Sequence, residues 1–374
     1  MSELEGNEQE PDAREKVLFV ETEAVPIEET WLHEVALRYW ELKGVFAFTD
    51  VGGEVNSGIT NSFVHARSFK RIARSMGFAE TGLEALKGNH QVIEYGAGTA
   101  YFADIFAWTD KTSKHPFFGE GSEWQWVVTD LQEAKVQAMR PVVTFTDKVK
   151  FAVIDANSPT ELNMLSDQEL LDDPINDCMV ANYLLGALPW QQIRMNTNGQ
   201  IEIADYKTKI KIDDSEQTPE GFVQTYSKAE ASNVMDLDWD KYAKVVQLIP
   251  QFRVANDAEI TSEMRTALEL SNGVETVVND QAINFLRKAL SSLSEDGVFF
   301  GNSYMADEIH FRDLMEKHGN ISPLMLGGSY AVGANFALIK RVLEQEGYYV
   351  YYEKSLTAQY GLFAITKNRL LMCN

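Results

Sequence analysis

Apolar residues recur along this chain in two rhythms. Short apolar or β-prone runs fall at 91–95, 124–129, 149–154, 177–182 and 297–303, and each reads as a strand. Between them the spacing lengthens to the helical period, and the pattern predicts helices over 99–108, 131–139 and 279–293. Strand and helix therefore alternate, which specifies an α/β fold with a mostly parallel, Rossmann-like sheet and helices on both faces. Near the end, a helix over 334–346 runs through Gly347 into a strand at Tyr348–Tyr352, and a last strand follows at Gly361–Thr366. Strands joined this closely must pair antiparallel, because a parallel crossover needs about a dozen residues or more.

Two regions depart from the alternation. Residues 1–14 are polar and are expected to be a disordered tail, and 15–89 reads as an N-terminal helical cap. Within the cap, one helix is predicted from Pro26 to Leu42, with Trp31, Val35, Leu37, Tyr39 and Trp40 as its apolar members. A second is predicted from Asn61 to Met76, with a basic stretch from Arg67 to Arg74. Between Trp190 and Asn279 the pattern loosens into two polar strands at 200–205 and 207–212, acidic loop-rich sequence, and a helix near 261–270. This segment, 191–278, reads as an insertion placed as a substrate lid over the sheet. The core is then 90–190 together with 279–374, and five parallel strands finished by a reversed hairpin is the class I methyltransferase topology.

Composition narrows the function. A formal net charge of −23 on 374 residues repels phosphate backbones, so a nucleic-acid partner is not expected. The two cysteines, Cys178 and Cys373, are too few for a disulfide framework or a zinc site and suit a reducing compartment. Met1–Arg14 lacks the apolar segment of a signal peptide, and no stretch approaches the ~18 consecutive apolar residues of a membrane span. A cytoplasmic protein without a membrane partner is expected. The histidines form no H-x-x-H or H-E-x-x-H pair, so no metal is expected. One assembled from distant residues, such as His33 or His65, stays open.

The chemistry concentrates in Gln91-Val-Ile-Glu94-Tyr95-Gly96-Ala97-Gly98-Thr-Ala100. This reads as a strand, a glycine turn and a helix N-terminus, where backbone and helix N–H groups can approach an anionic group closely. A dinucleotide fingerprint would place a third glycine at 101, where this chain has Tyr101. Glu94, closing the strand, suits a cationic sulfonium–amino acid ligand, so the segment favours S-adenosylmethionine (SAM) over NAD. Asp130, followed by Leu131, ends the second strand, where a carboxylate can accept both ribose hydroxyls. Asp155 and Ala156 end the third, where an acid can accept from the adenine amino group. Asn182 and Tyr183 end the fourth and face the methyl and its acceptor. Taken singly, Asp130 and Asp155 suit helix N-caps equally well, Asn182 a turn, and Gly96-x-Gly98 a plain βα turn. Their joint position along one sheet edge points to a ligand.

Several of these segments resemble the MidA-like SAM-dependent methyltransferases, a group that includes a mitochondrial arginine methyltransferase assisting complex I assembly. Glu94-Tyr-Gly-Ala-Gly-Thr-Ala100 is similar to the family's E-x-G-x-G-x-G turn, with Ala100 in place of the last glycine. Thr129-Asp130-Leu131 with Gln137 is similar to its second-strand acid and the helix behind it. Asn182-Tyr-Leu-Leu-Gly-Ala-Leu-Pro189-Trp-Gln-Gln-Ile resembles its N-E-x-x-D-A-L-P segment, and Asn198-Gly-Gln-Ile-Glu-Ile the strand pair that follows. Gly327-Gly-Ser-Tyr-Ala-Val-Gly-Ala-Asn-Phe-Ala-Leu338 resembles the segment before the family's last helix. The resemblance spans roughly 91–350 and implies a SAM cofactor held by Glu94, Tyr95, Gly96, Ala97, Gly98, Asp130, Leu131, Asp155, Ala156 and Asn182. Tyr183 and Asn182 would then stand nearest the chemistry. Tyr183 and Gly186 replace two family acids, and Asn302-Ser-Tyr304 stands where the family has an aspartate after the fifth strand, so a guanidinium acceptor loses its carboxylate partners. The expected activity is methyl transfer from SAM to a small-molecule or protein acceptor; the alternative is a non-catalytic scaffold or assembly factor that keeps the fold.

Overall fold

The computed structural model describes residues 16–43, 89–111, 123–145, 147–172, 175–212, 218–306, 321, 323–354 and 360–368. The predicted helix 61–76, its basic stretch and the tail 1–14 lie outside the described residues. Along the chain come β1 (Lys16–Phe19), α1 (Trp31–Lys43), β2 (Asn89–Tyr95), α2 (Tyr101–Lys111), β3 (Glu123–Asp130), α3 (Glu133–Met139), β4 (Val149–Val153), β5 (Asn163–Met164) and β6 (Ile175–Asn182). Next are β7 (Gln191–Met195), β8 (Ile201–Ile212), α4 (Pro219–Ser227), α5 (Trp239–Val245), β9 (Val246–Val254), α6 (Ser262–Leu270), β10 (Thr276–Val278) and α7 (Asp280–Ser291). The chain finishes with β11 (Val298–Ala306), β12 (Leu324–Leu326), β13 (Ser329–Ala331), β14 (Ala334–Asn335), α8 (Phe336–Gln345), β15 (Tyr349–Lys354) and β16 (Tyr360–Thr366).

The main sheet runs β15-β16-β11-β6-β2-β3-β4-β5. Strands β4, β3, β2, β6 and β11 pair parallel, and β16 is antiparallel to both β11 and β15. The strand order reverses about β2, so β3 and β4 lie on one side of it and β6 and β11 on the other. With the reversed strand inserted beside β11, this is the class I methyltransferase arrangement, as the sequence predicts.

Both faces of this sheet are covered, which explains its almost unbroken apolar strands. Val92, Trp126, Val128, Phe151, Val180 and Phe300 pack with Phe102 and Phe106 of α2 and with Val136 and Met139 of α3. Ile93, Met179, Phe299 and Phe363 turn to the opposite face. There they meet α7, whose Ala282, Ile283, Leu286, Ala289 and Leu290 recur at helical spacing, and α8.

The loosened segment 191–278 is largely a second sheet, a correction to the loop-rich expectation. Its order is β1-β8-β7-β10, with β9 along the other side of β8, and all its pairings are antiparallel. The two polar strands expected at 200–205 and 207–212 are one strand, β8. Ala204, Tyr206, Ile210 and Ile212 are buried in turn, while Lys207, Lys209 and Lys211 alternate on the outer face. On the inner face, α1, α4 and α5 close an aromatic core in which Tyr39 meets Trp239 edge-on at 4.6 Å. The segment expected as a helical cap also carries a strand, β1, and α1 shares one core with the insertion.

Gly301 shows how tightly the reversed strand is set. It lies in β11 opposite Ala181 of β6 and Phe363 of β16, and a Cβ there would overlap the Phe363 ring edge and the Ala181 carbonyl oxygen. Gly301→Ala is expected to cost about 1–3 kcal/mol, read as a lower urea midpoint with an unchanged m-value.

Candidate functional site

Parallel strands end on one edge, and here that edge collects polar groups the interior would not otherwise accept. Glu94 closes β2 at 1 % exposure. Its Oε2 accepts from Trp126 Nε1 at 2.9 Å, and the Asn182 side chain bonds the same carboxyl group. Register accounts for the first contact, since Val92 lies opposite Trp126 and Glu94 follows Val92 on the same face. Burial pushes the Glu94 carboxyl up to about 8, and the two hydrogen bonds oppose that only in part.

The turn after Glu94 is held in left-handed backbone at alternate residues: Gly96 (φ 62°), Gly98 (φ 63°) and Ala100 (φ 61°). The third is a finding in itself. Ala100 stands where the resembling family has glycine, yet it keeps the glycine conformation and is fully buried. The turn is pinned by Ala97 N–H donating to Thr129 O at 2.9 Å and by Thr129 Oγ1 donating to Glu94 O at 2.8 Å. Gly96 cannot carry a side chain freely, because a Cβ would lie 3.2 Å from Leu184 Cδ1.

Tyr95 requires a correction. Alternation turns its side chain away from Glu94 into the opposite core, where it meets Phe285 at 5.0 Å and donates to Pro159 O at 3.1 Å. Only its backbone remains at the edge. Asp130 is 7 % exposed, and its Oδ1 accepts from Leu131 N at 2.9 Å. Its Oδ2 pairs with Lys135 Nζ at 2.7 Å, outside hydrogen-bonding angles, and no described residue gives this buried oxygen a well-aligned hydrogen bond. Asp130 is not an N-cap, since α3 starts after Gln132. Leu131 beside it is 53 % exposed. Asp155 is exposed, and its Oδ1 accepts from Asn157 N at 2.8 Å in a turn with no helix behind it, while Ala156 is half-buried.

Asn182 ends β6 opposite Asn302 of β11. Tyr183 follows in left-handed backbone (φ 59°), its N–H donating to Asn302 O at 2.8 Å. Asn302 and Ser303 are 0 % and 1 % exposed, and the Asn302 side-chain amide and the Ser303 hydroxyl have no hydrogen-bond partner among the described residues. Gly186 faces the backbone of the segment after β13, where a Cβ would stand 2.6 Å from Val332 O. A carboxylate side chain has no room there.

No family model matches the chain, and neither does any curated protein. Among solved structures it is similar to a COG1565 superfamily member from Burkholderia thailandensis bound to S-adenosyl-homocysteine, with 13% identity, covering 88% of this chain and 78% of that one, at TM-score 0.48. A native COG1565 superfamily structure from the same organism gives 13% identity, 91% and 83% coverage, and TM-score 0.47. The DhpI-SAM-HEP complex gives 12% identity, 89% and 96% coverage, and TM-score 0.40. At these TM-scores none of the likenesses bears on what the site does.

The edge thus brings together Glu94, Gly96, Ala97, Gly98, Asp130 and Asn182, with Leu131, Asp155, Ala156 and Tyr183 on the loops beyond the strands. Sequence reasoning missed Trp126 and Lys135 as partners of the two acids. Trp126 had a signal in its register on the Glu94 face. Lys135 had one in being a lysine on the helix face that also carries the buried Val136 and Met139. Among the described residues no group of three or more His, Cys, Asp or Glu could hold a metal ion. His33 instead bonds Tyr330 Oη through Nδ1 at 2.7 Å. Nor, among the described residues, is any helix long and apolar enough to cross a membrane.

Glu94 makes stability depend on pH. Between its ordinary value of 4.5 and about 8, the folded chain holds a proton that the unfolded chain releases. Stability therefore falls as pH rises through that window and levels off above it. Glu94→Gln is expected to flatten the slope by up to about 1.4 kcal/mol per pH unit. Urea unfolding of both proteins across the window reads the difference.

Proposed function

We propose that this chain is a SAM-dependent methyltransferase of the MidA-like kind, acting on a neutral or early-deprotonating acceptor. The observation that carries it is Asp130 Oδ2, a buried carboxylate oxygen at the end of the second parallel strand that sits beside the Lys135 ammonium yet receives no well-aligned hydrogen bond from any described residue. A pair of ribose hydroxyls supplies what that oxygen lacks. The left-handed turn at Gly96 and Gly98 and the N–H groups opening α2 fit a carboxylate. Glu94 fits a cationic ammonium, and the exposed Leu131 with Ala156 fits an adenine ring. When bound there, the cofactor supplies an electrophilic methyl on a sulfonium.

The protein's own part is placement and exclusion of water. Asn182 and Asn302 offer neutral amides on the acceptor side, and Tyr183 is fixed in one backbone conformation by its bond to Asn302. No carboxylate occupies positions 183 or 186, so the site offers neither a strong base nor a sink for a guanidinium charge there. That absence also supports the second reading, a scaffold that binds cofactor without turnover. Tritiated methyl transfer to candidate acceptors above background favours the enzyme; cofactor binding with no transfer favours the scaffold.

Calorimetric titration with S-adenosylhomocysteine tests the reading. Wild type is expected to bind, whereas Gly96→Arg, which thrusts a long side chain against Leu184, and Asp130→Ala are expected not to. Unchanged binding in both variants refutes the assignment. Glu94 adds a distinct signature. Its carboxyl is protonated below about 8 in the free protein, and an arriving ammonium favours the ionised form. Binding near neutral pH should therefore release close to one proton, fading as pH passes about 8. Comparing binding enthalpies in buffers of different ionisation enthalpy counts those protons, and Glu94→Gln should release none.

A further inference from the structure

Lys135 is an unusual occupant of its position. It lies on α3 with Val136 and Met139 on the buried face and is itself only 9 % exposed, its apolar stem covered along with theirs. Its ammonium instead reaches the tip of β3, 2.7 Å from Asp130 Oδ2, with the two side chains 10 % and 9 % exposed. The same ammonium stands 5.0 Å from the centroid of the Trp40 ring on α1. Trp40 in turn donates through Nε1 to Ser329 Oγ on β13 at 2.8 Å. A continuous set of contacts thus joins the ribose acid to the N-terminal helix and the β12–β13 hairpin.

We infer that Lys135 lowers the affinity for the cofactor by competing with its ribose hydroxyls for Asp130, and so ties cofactor entry to release of α1. The inference rests on the preceding reading of Asp130 as the ribose partner. Its physical basis is the quality of the contact. The pair is close but lacks hydrogen-bond geometry, so Oδ2 gains Coulomb attraction while no described residue meets its lone pairs with an aligned donor. Two hydroxyl donors can satisfy those lone pairs and displace the ammonium. Once displaced, the ammonium leaves the face of Trp40, and α1 loses one of its ties to the sheet edge. Linkage makes the effect reciprocal: whatever keeps Lys135 under Trp40 weakens cofactor binding, and cofactor binding loosens α1.

The test uses the full chain and S-adenosylhomocysteine as the probe, with wild type, Lys135→Met and Trp40→Phe. Calorimetry should show Lys135→Met binding about tenfold more tightly, a loss of competition worth about 1.4 kcal/mol, and Trp40→Phe binding severalfold more tightly. Hydrogen exchange of residues 31–43 should speed up in wild type when the ligand is added. In Lys135→Met it should be fast both with and without ligand. Equal or weaker binding by Lys135→Met overturns the inference, as does exchange of α1 that the ligand leaves unchanged or slows in wild type. Should Lys135→Met fail to fold, the affinity of Trp40→Phe decides in the same sense. Absence of binding by wild type overturns the reading of Asp130, and the inference with it, whereas normal wild-type binding with an unaffected Lys135→Met overturns the inference alone.

Discussion

A carboxyl group buried at the end of a parallel strand, with two neutral hydrogen-bond donors and no ion pair among the described residues, is the constraint around which this molecule is arranged. Glu94 is held by Trp126 from the next strand and by Asn182 from the strand on its other side, so the three strands that meet there must keep their register. A slip of one residue would turn Glu94 into the opposite core and bring Tyr95 to its place. Alternation therefore both protects the acid and excludes its neighbour from the same face.

The parts of the fold that read plainly from sequence are those whose burial is two-sided. Strands β2, β3, β4, β6 and β11 bury both faces and so give apolar runs, and α7 gives a clean helical stripe. The second sheet hid for physical reasons. The outer face of β8 carries Lys207, Lys209 and Lys211, which makes a half-buried strand look polar. Strand β9 carries Pro250 at its centre, a residue that argues against an interior strand but is tolerated where only one side is paired, and within the described residues β9 pairs only with β8. The pairing of β1 with the far end of β8 is a contact across nearly two hundred residues that no local pattern announces.

For the site, strand ends were legible and side-chain partners were not. The acids at 94 and 130 and the amide at 182 follow from where each apolar run stops, and the structure brings all three to one edge. The roles of Tyr95, Trp126 and Lys135 depend on face and reach. The two-residue period turns the Tyr95 side chain into the opposite core and leaves only its backbone at the edge. Asp155 reads as a strand-end acid in sequence, but β4 stops at Val153, so its carboxylate stands on an exposed turn and accepts from its own backbone.

Local rules are broken repeatedly on this edge, though not only there, since Asn272 is also left-handed and His90, Thr208 and Tyr242 also leave buried polar atoms unmet among the described residues. Left-handed backbone occurs here at Ala100 and Tyr183, and among the described residues Asp130 Oδ2, Asn302 and Ser303 leave buried polar atoms without a well-aligned hydrogen bond. Each such feature costs about 1–3 kcal/mol in a marginally stable protein. Their causes are not shared: one is a turn, one a strand exit, one an ion pair with poor angles, and one a pair of neutral side chains facing opposite sides of the sheet. Packing alone gives no reason for unrelated costs to gather at a single edge, since apolar residues at 302 and 303 would satisfy it. A ligand that supplies the missing donors and acceptors gives one, because the same atoms that weaken the free protein then become the atoms that bind.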